Sequence, residues 1–140
     1  MKFVALHPNF KLPTRGTPQS AGHDIYMPES GEFNGVTPVK VALGFKAAVP
    51  EGYVALLLPR SGAGFKKGVE VNNTCGVIDS DYRGEWFASV RTKGGHALKW
   101  EAGESLLQYV IVPYLHSEPE LVDELDETER GEGGLGSTNK

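Results

Sequence analysis

Short apolar runs alternate with turn signals along this chain, and no stretch keeps the 3.6-residue period of an ordinary capped helix. Residues 39–49 are apolar-rich and stop at Pro50-Glu51-Gly52. Residues 53–58 form a continuous apolar run that ends at Pro59, the pattern of a buried strand. The stretch 86–91 alternates and breaks at Lys93-Gly94-Gly95. The longest apolar run is 106–114, interrupted only by Gln108. Seven or more short strands at this spacing predict an all-β, jelly-roll-like barrel or sandwich over residues 1–116. Residues 117–140 divide into an acidic linker, 117–129, and a Gly-rich C-terminal arm. Leu121-Val122-Leu125 is the one weak helical spacing.

Composition narrows this to one small domain of 140 residues, with 18 Gly and 9 Pro to supply the turns. A core drawn from 39% hydrophobic residues is modest, and folds of this size often gain stability by oligomerising. Net charge is −4, but it is unevenly placed: residues 1–116 carry 12 basic and 10 acidic side chains, and residues 117–140 carry 2 and 8. A body so weakly charged has no electrostatic footprint for nucleic acid. No run of about 18 apolar residues predicts a membrane span. A single cysteine, Cys75, excludes an internal disulfide or a cysteine zinc site and points to a cytosolic setting.

Asn73 through Gly84 carries the most chemistry. Val77-Ile78 delivers a carboxylate, Asp79, to the start of a polar turn that places Tyr82 three residues later. An aspartate at a strand end is suited to orient a water, and a nearby ring to pack on a sugar. The same pattern also fits a plain hairpin with polar turn residues. Pro59-Arg60-Ser61-Gly62 follows a strand with a cation, a hydroxyl and a glycine, a combination that suits phosphate oxygens or a simple strand-ending turn. Gln108 is either a satisfied core amide or a ligand-facing one. Ala21-Gly22-His23-Asp24-Ile25 puts a carboxylate beside a flexible glycine, which a turn aspartate also explains. In the arm, Gly131 and Gly136 have Walker A spacing, but Ser137 stands where the lysine belongs, so a P-loop is rejected. His7, His23, His96 and His116 show no metal-ligand spacing.

Taken in order, five segments resemble the motifs of the trimeric dUTPase family. They are Ala21 to Ile25, Pro59 to Gly62, Asn73 to Gly84, Gly103-Glu104-Ser105-Leu106-Leu107-Gln108, and Arg130 to Thr138. The resemblance implies hydrolysis of dUTP to dUMP and pyrophosphate, with Asp79 orienting the attacking water. Tyr82 would lie against the deoxyribose. Asn73 and the hairpin backbone at Gly76 and Ile78 would read the uracil. Arg60, Ser61, Gly62 and Gln108 would bind phosphates from a neighbouring subunit of a homotrimer. Arg130, Leu135, Gly136, Ser137 and Thr138 would close over the substrate from the third. Mg²⁺ is the implied cofactor, bound mainly by phosphate oxygens with Asp24 in support through water. The implied role is to keep uracil out of DNA and supply dUMP for dTMP synthesis, in the cytoplasm of a bacterium or of a phage-infected host.

Two positions depart from the family pattern. Glu104-Ser105 replaces the usual Asp-Arg, and Leu135 stands where an aromatic residue normally covers the uracil. Leucine caps a ring by apolar contact but does not stack on it. Trp86 or Phe87, just past the hairpin, is the expected substitute. Deamination of dCTP, a non-catalytic nucleotide sensor and a capsid-like structural trimer are the competing readings.

Overall fold

The computed structural model describes residues 1–35 and 37–134. Among them are ten strands and one short helix: β1 Lys2–Ala5, β2 His23–Ile25, β3 Gly31–Asn34, β4 Val39–Ala48, β5 Tyr53–Pro59, α1 Ser61–Lys67, β6 Val69–Val71, β7 Gly76–Ile78, β8 Glu85–Thr92, β9 Ala97–Trp100 and β10 Leu107–Pro113. One sheet has the order β1-β4-β8-β6, a second β2-β10-β5-β7, and β3 pairs with β9. Every pairing is antiparallel, as a jelly-roll-like sandwich requires.

The two larger sheets face each other across an aromatic core. Trp86 on β8 lies 5.3 Å from the ring of Phe45 and meets Tyr109 of the opposite sheet edge-on at 5.5 Å. Tyr109 in turn stacks on His23 at 4.9 Å. Burial without a charged partner pushes the Tyr109 hydroxyl up to about 12. The same desolvation, with Arg15 and the N-terminus adding like charge, holds His23 below its ordinary value.

The four strongest apolar runs of the sequence become β4, β5, β8 and β10. One element differs from expectation. Pro59-Arg60-Ser61-Gly62 leads not into an open turn but into α1, which ends at Gly68 in the left-handed region (φ 64°). Seven residues with a single buried member, Ala63, are too few to show a helical period. The linker 117–129 is exposed throughout, and Leu121-Val122-Leu125 forms no helix.

Candidate active site

The turn that carries the chain from β7, at the edge of one sheet, to β8, in the other, forms an open hairpin whose two strands are not paired with each other. It borders a cavity of about 260 Å³ lined by Asn73, Gly76, Val77, Ile78, Asp79, Tyr82, Glu85 and Phe87. Alternation along β7 sets its walls. Val77 and Asp79 share the outward face, and both are exposed. The Asp79 carbonyl accepts the Tyr82 N–H at 3.2 Å, closing the turn. The Tyr82 hydroxyl donates to the Glu85 carbonyl at 2.9 Å, which folds the ring back over Gly84. A Cβ at Gly84 would collide with that ring, so the glycine is required for the ring's position. Asn73 sits in the turn after β6 rather than on a strand, with its amide donating to the Cys75 carbonyl at 3.1 Å. The neighbouring Thr74 has φ 70°, an uncommon conformation for a β-branched residue and one that fixes this turn.

A second group gathers at the far end of the same sheet. Register places Gln108 between Asp24 on β2 and Leu58 on β5. Arg60, just past β5, pairs its Nε with Asp24 Oδ1 at 2.9 Å and donates from Nη1 to the Ser105 carbonyl at 3.2 Å. Gln108 Nε2 donates to the Pro59 carbonyl at 3.0 Å. Gly22 clears space for the Gln108 amide, because a Cβ there would collide with it. Ser61 and Gly62 open the first turn of α1 and face solvent. Among the described residues no group of three or more His, Cys, Asp and Glu forms a metal cage. The Asp24 carboxylate, 18% exposed, is the hard oxygen at this corner.

Hairpin and corner are well separated within one chain. Ile78 is paired with Ala55, which puts Asp79 beside Val54, six residues from Arg60 along β5. At the rise of a strand that is about 20 Å. The outward face between them carries Val54, Leu56, Leu58, Val110 and Val77, the last 62% exposed. Arg130 lies in an exposed turn, its Nε donating to the Gly133 carbonyl at 2.8 Å. Leu135, Gly136, Ser137 and Thr138 lie outside the described residues.

Trp86 does not serve as a cover for a base. It is fully buried between the sheets, because alternation along β8 turns residue 86 inward and 87 outward. Phe87 is 45% exposed and lines the hairpin cavity, with Lys40 Nζ 4.1 Å from its ring centroid. Its parity with Ser89 and Arg91 was the sequence signal for that orientation. Three other contributions escaped the sequence reading: the Asp24–Arg60 pair, the Ser105 carbonyl and Glu85.

Among solved structures, the fold is similar to dUTPases of staphylococcal phages. The bacteriophage 80alpha dUTPase with dUPNHPP superposes with a TM-score of 0.87 at 27% identity, covering 98% of this chain and 96% of that one. The chain belongs to the dUTPase family, whose model matches residues 8–139. A deoxyuridine 5'-triphosphate nucleotidohydrolase of Dictyoglomus turgidum is 41% identical over 133 residues, covering 91% of this chain and 89% of the relative. Its counterpart in Acinetobacter baumannii is 42% identical over 132 residues, covering 92% and 88%.

Proposed function

We propose that this chain is a dUTP diphosphatase that works as a homotrimer in the cytoplasm. The observation that carries the reading is Asp79, exposed at the rim of a cavity walled by Asn73, Ile78, Tyr82 and Phe87. Uracil enters between the hairpin strands, where free backbone groups and the Asn73 side chain read its polar edge. The Tyr82 ring, fixed by its bond to Glu85, forms the sugar wall and leaves no room for a 2′-hydroxyl. Phe87 supplies the aromatic surface that Leu135 cannot.

Asp79 accepts a hydrogen bond from a water and aligns it with the α-phosphorus. As the new P–O bond forms, the bond from the α-phosphorus to the bridging oxygen breaks, and pyrophosphate leaves dUMP behind. A triphosphate resists this attack because its own charge repels the nucleophile, so cations must surround it. Arg60 provides one, positioned by Asp24 and the Ser105 carbonyl, with Ser61, Gly62 and Gln108 beside it. Mg²⁺ bound on phosphate oxygens would supply further neutralisation, and Asp24 fits as its water-mediated support.

A separation of about 20 Å exceeds the reach of one triphosphate between Asp79 and Arg60 of the same chain. The apolar face between them is suited to receive a second copy, which brings its own hairpin to this corner. The arm of a third, with Arg130, Ser137 and Thr138, then closes the site and excludes water. Pyrophosphate release from dUTP, UTP, dTTP and dCTP, with and without Mg²⁺, tests the assignment. We expect Mg²⁺-dependent turnover of dUTP far above the others. Equal rates on UTP would remove the role given to Tyr82, and ammonia from dCTP would make the chain a deaminase.

A further inference from the structure

We propose that Lys40 is a positioning residue for the base: its ammonium, stacked behind the Phe87 ring, holds that ring as the aromatic wall of the hairpin cavity. The inference rests on the reading that Phe87 covers uracil where Leu135 cannot. Lys40 Nζ lies 4.1 Å from the Phe87 ring centroid, well inside the roughly 6 Å at which a cation is drawn to an aromatic face. The face it occupies follows from the two cavities that meet at the ring. Phe87 lines the hairpin cavity and Lys40 does not. A second cavity, of about 390 Å³, is lined by Lys40 and Ala42 but not by Phe87, and Glu85 borders both. The ring is therefore a partition, with the cation on one face and the space for a base on the other.

Phe87 needs such a support because its strand neighbours give it little. It points outward from β8, and its register partner on β4 is Ala42, too small to pack across the ring. No aromatic pair among the described residues includes it. Lys40 is paired with Ser89, two positions along β8 on the same outward face, so its stem crosses diagonally to the ring. No carboxylate competes for the ammonium, since Lys40 forms no ion pair among the described residues. An unsupported phenyl ring at this position would move among its rotamers, and each departure would open the wall. Holding the wall in place before the base arrives lowers the ordering cost of binding. A base seated on the far face also removes water from the ring, which strengthens the pull of the cation behind it.

The test compares Lys40→Met, which keeps the stem and removes the charge, with Lys40→Arg, which keeps a cation. Lys40→Met should raise KM for dUTP about two- to fivefold, the usual strength of an exposed cation on an aromatic face, and leave kcat unchanged. Lys40→Arg should return KM to the parent value. The competing account is direct attraction of Lys40 to the triphosphate, so deoxyuridine, which carries no charge, is measured as a competitive inhibitor. Its inhibition constant should rise as KM does; a rise confined to dUTP would overturn the proposal. So would an unchanged KM in Lys40→Met, a KM that Lys40→Arg leaves raised, or an equal rise when Lys40→Met is made in a Phe87→Leu chain, where no aromatic face remains. The underlying reading fails separately: Phe87→Leu alone with parental affinity for deoxyuridine would remove Phe87 from the base site whatever Lys40 does. Lys40 is exposed, so the thermal midpoints of its variants should match the parent.

Discussion

The hairpin draws Asn73, Asp79, Tyr82 and Phe87 from the single span 73–87, whereas the corner draws Asp24 from β2, Gln108 from β10 and Arg60 from the junction of β5 and α1. Hairpin side chains point into open space and are held by local bonds, such as Tyr82 to Glu85. Corner side chains are tied to one another and to the backbone of neighbouring strands, as in the Arg60 contacts to Asp24 and Ser105. Chemistry and folding are thus separable at the hairpin and joined at the corner. A substitution in the first should change catalysis alone, and one in the second should change both.

Asp79→Asn gives the largest effect on that view. Turnover of dUTP should fall by about 10²–10⁴-fold, the usual contribution of a positioned base, while the thermal midpoint stays where it was. A parallel fall in stability would mean that Asp79 supports the fold after all. The next contrast lies within β8. Trp86→Ala empties the middle of the core and should cost about 3–5 kcal/mol in urea unfolding. Phe87→Ala, one residue on, should leave stability nearly unchanged and raise KM for dUTP; an unchanged KM would take Phe87 out of the base site.

Arg60→Ala comes third, and it should act on both axes. It leaves the Asp24 carboxylate and the Ser105 carbonyl without their partner, a loss of about 1–3 kcal/mol, and weakens triphosphate binding. Rescue of activity without rescue of stability by Arg60→Lys would show that charge serves the ligand and the planar fork serves the fold. The smallest effect concerns pH. His23 is held below its ordinary value of 6.5 by burial, so the unfolded chain binds a proton more readily than the folded one. Stability is therefore full above pH 6.5 and declines as pH falls through the lowered value. His23→Phe should flatten that decline when urea midpoints at pH 7.5 and 5.5 are compared.

Legibility followed the same division. Hairpin residues were readable because Val77-Ile78-Asp79 and Tyr82 are neighbours in the chain, and the turn after β7 closes on itself through the bond from the Tyr82 N–H to the Asp79 carbonyl. Strands 39–49, 53–58, 86–91 and 106–114 were readable because each holds a long apolar run against clear breakers. The corner was readable only through resemblance, since no spacing rule joins residues 24, 60 and 108; antiparallel register does that. Helix α1 escaped because its seven residues bury only Ala63. The orientation of β8 was within reach, as Ser89 and Arg91 share the parity of Phe87, but two adjacent aromatics masked it.

In the proposed trimer, the distance along β5 between Asp79 and Arg60 has a genetic consequence. Where each reaction centre takes its carboxylate from one polypeptide and its arginine from the next, two inactive alleles can complement. An Asp79→Asn chain still offers a sound corner, and an Arg60→Ala chain a sound hairpin. Every mixed trimer of the two then rebuilds one intact centre, so a cell that carries both defects would recover activity that neither allele provides alone.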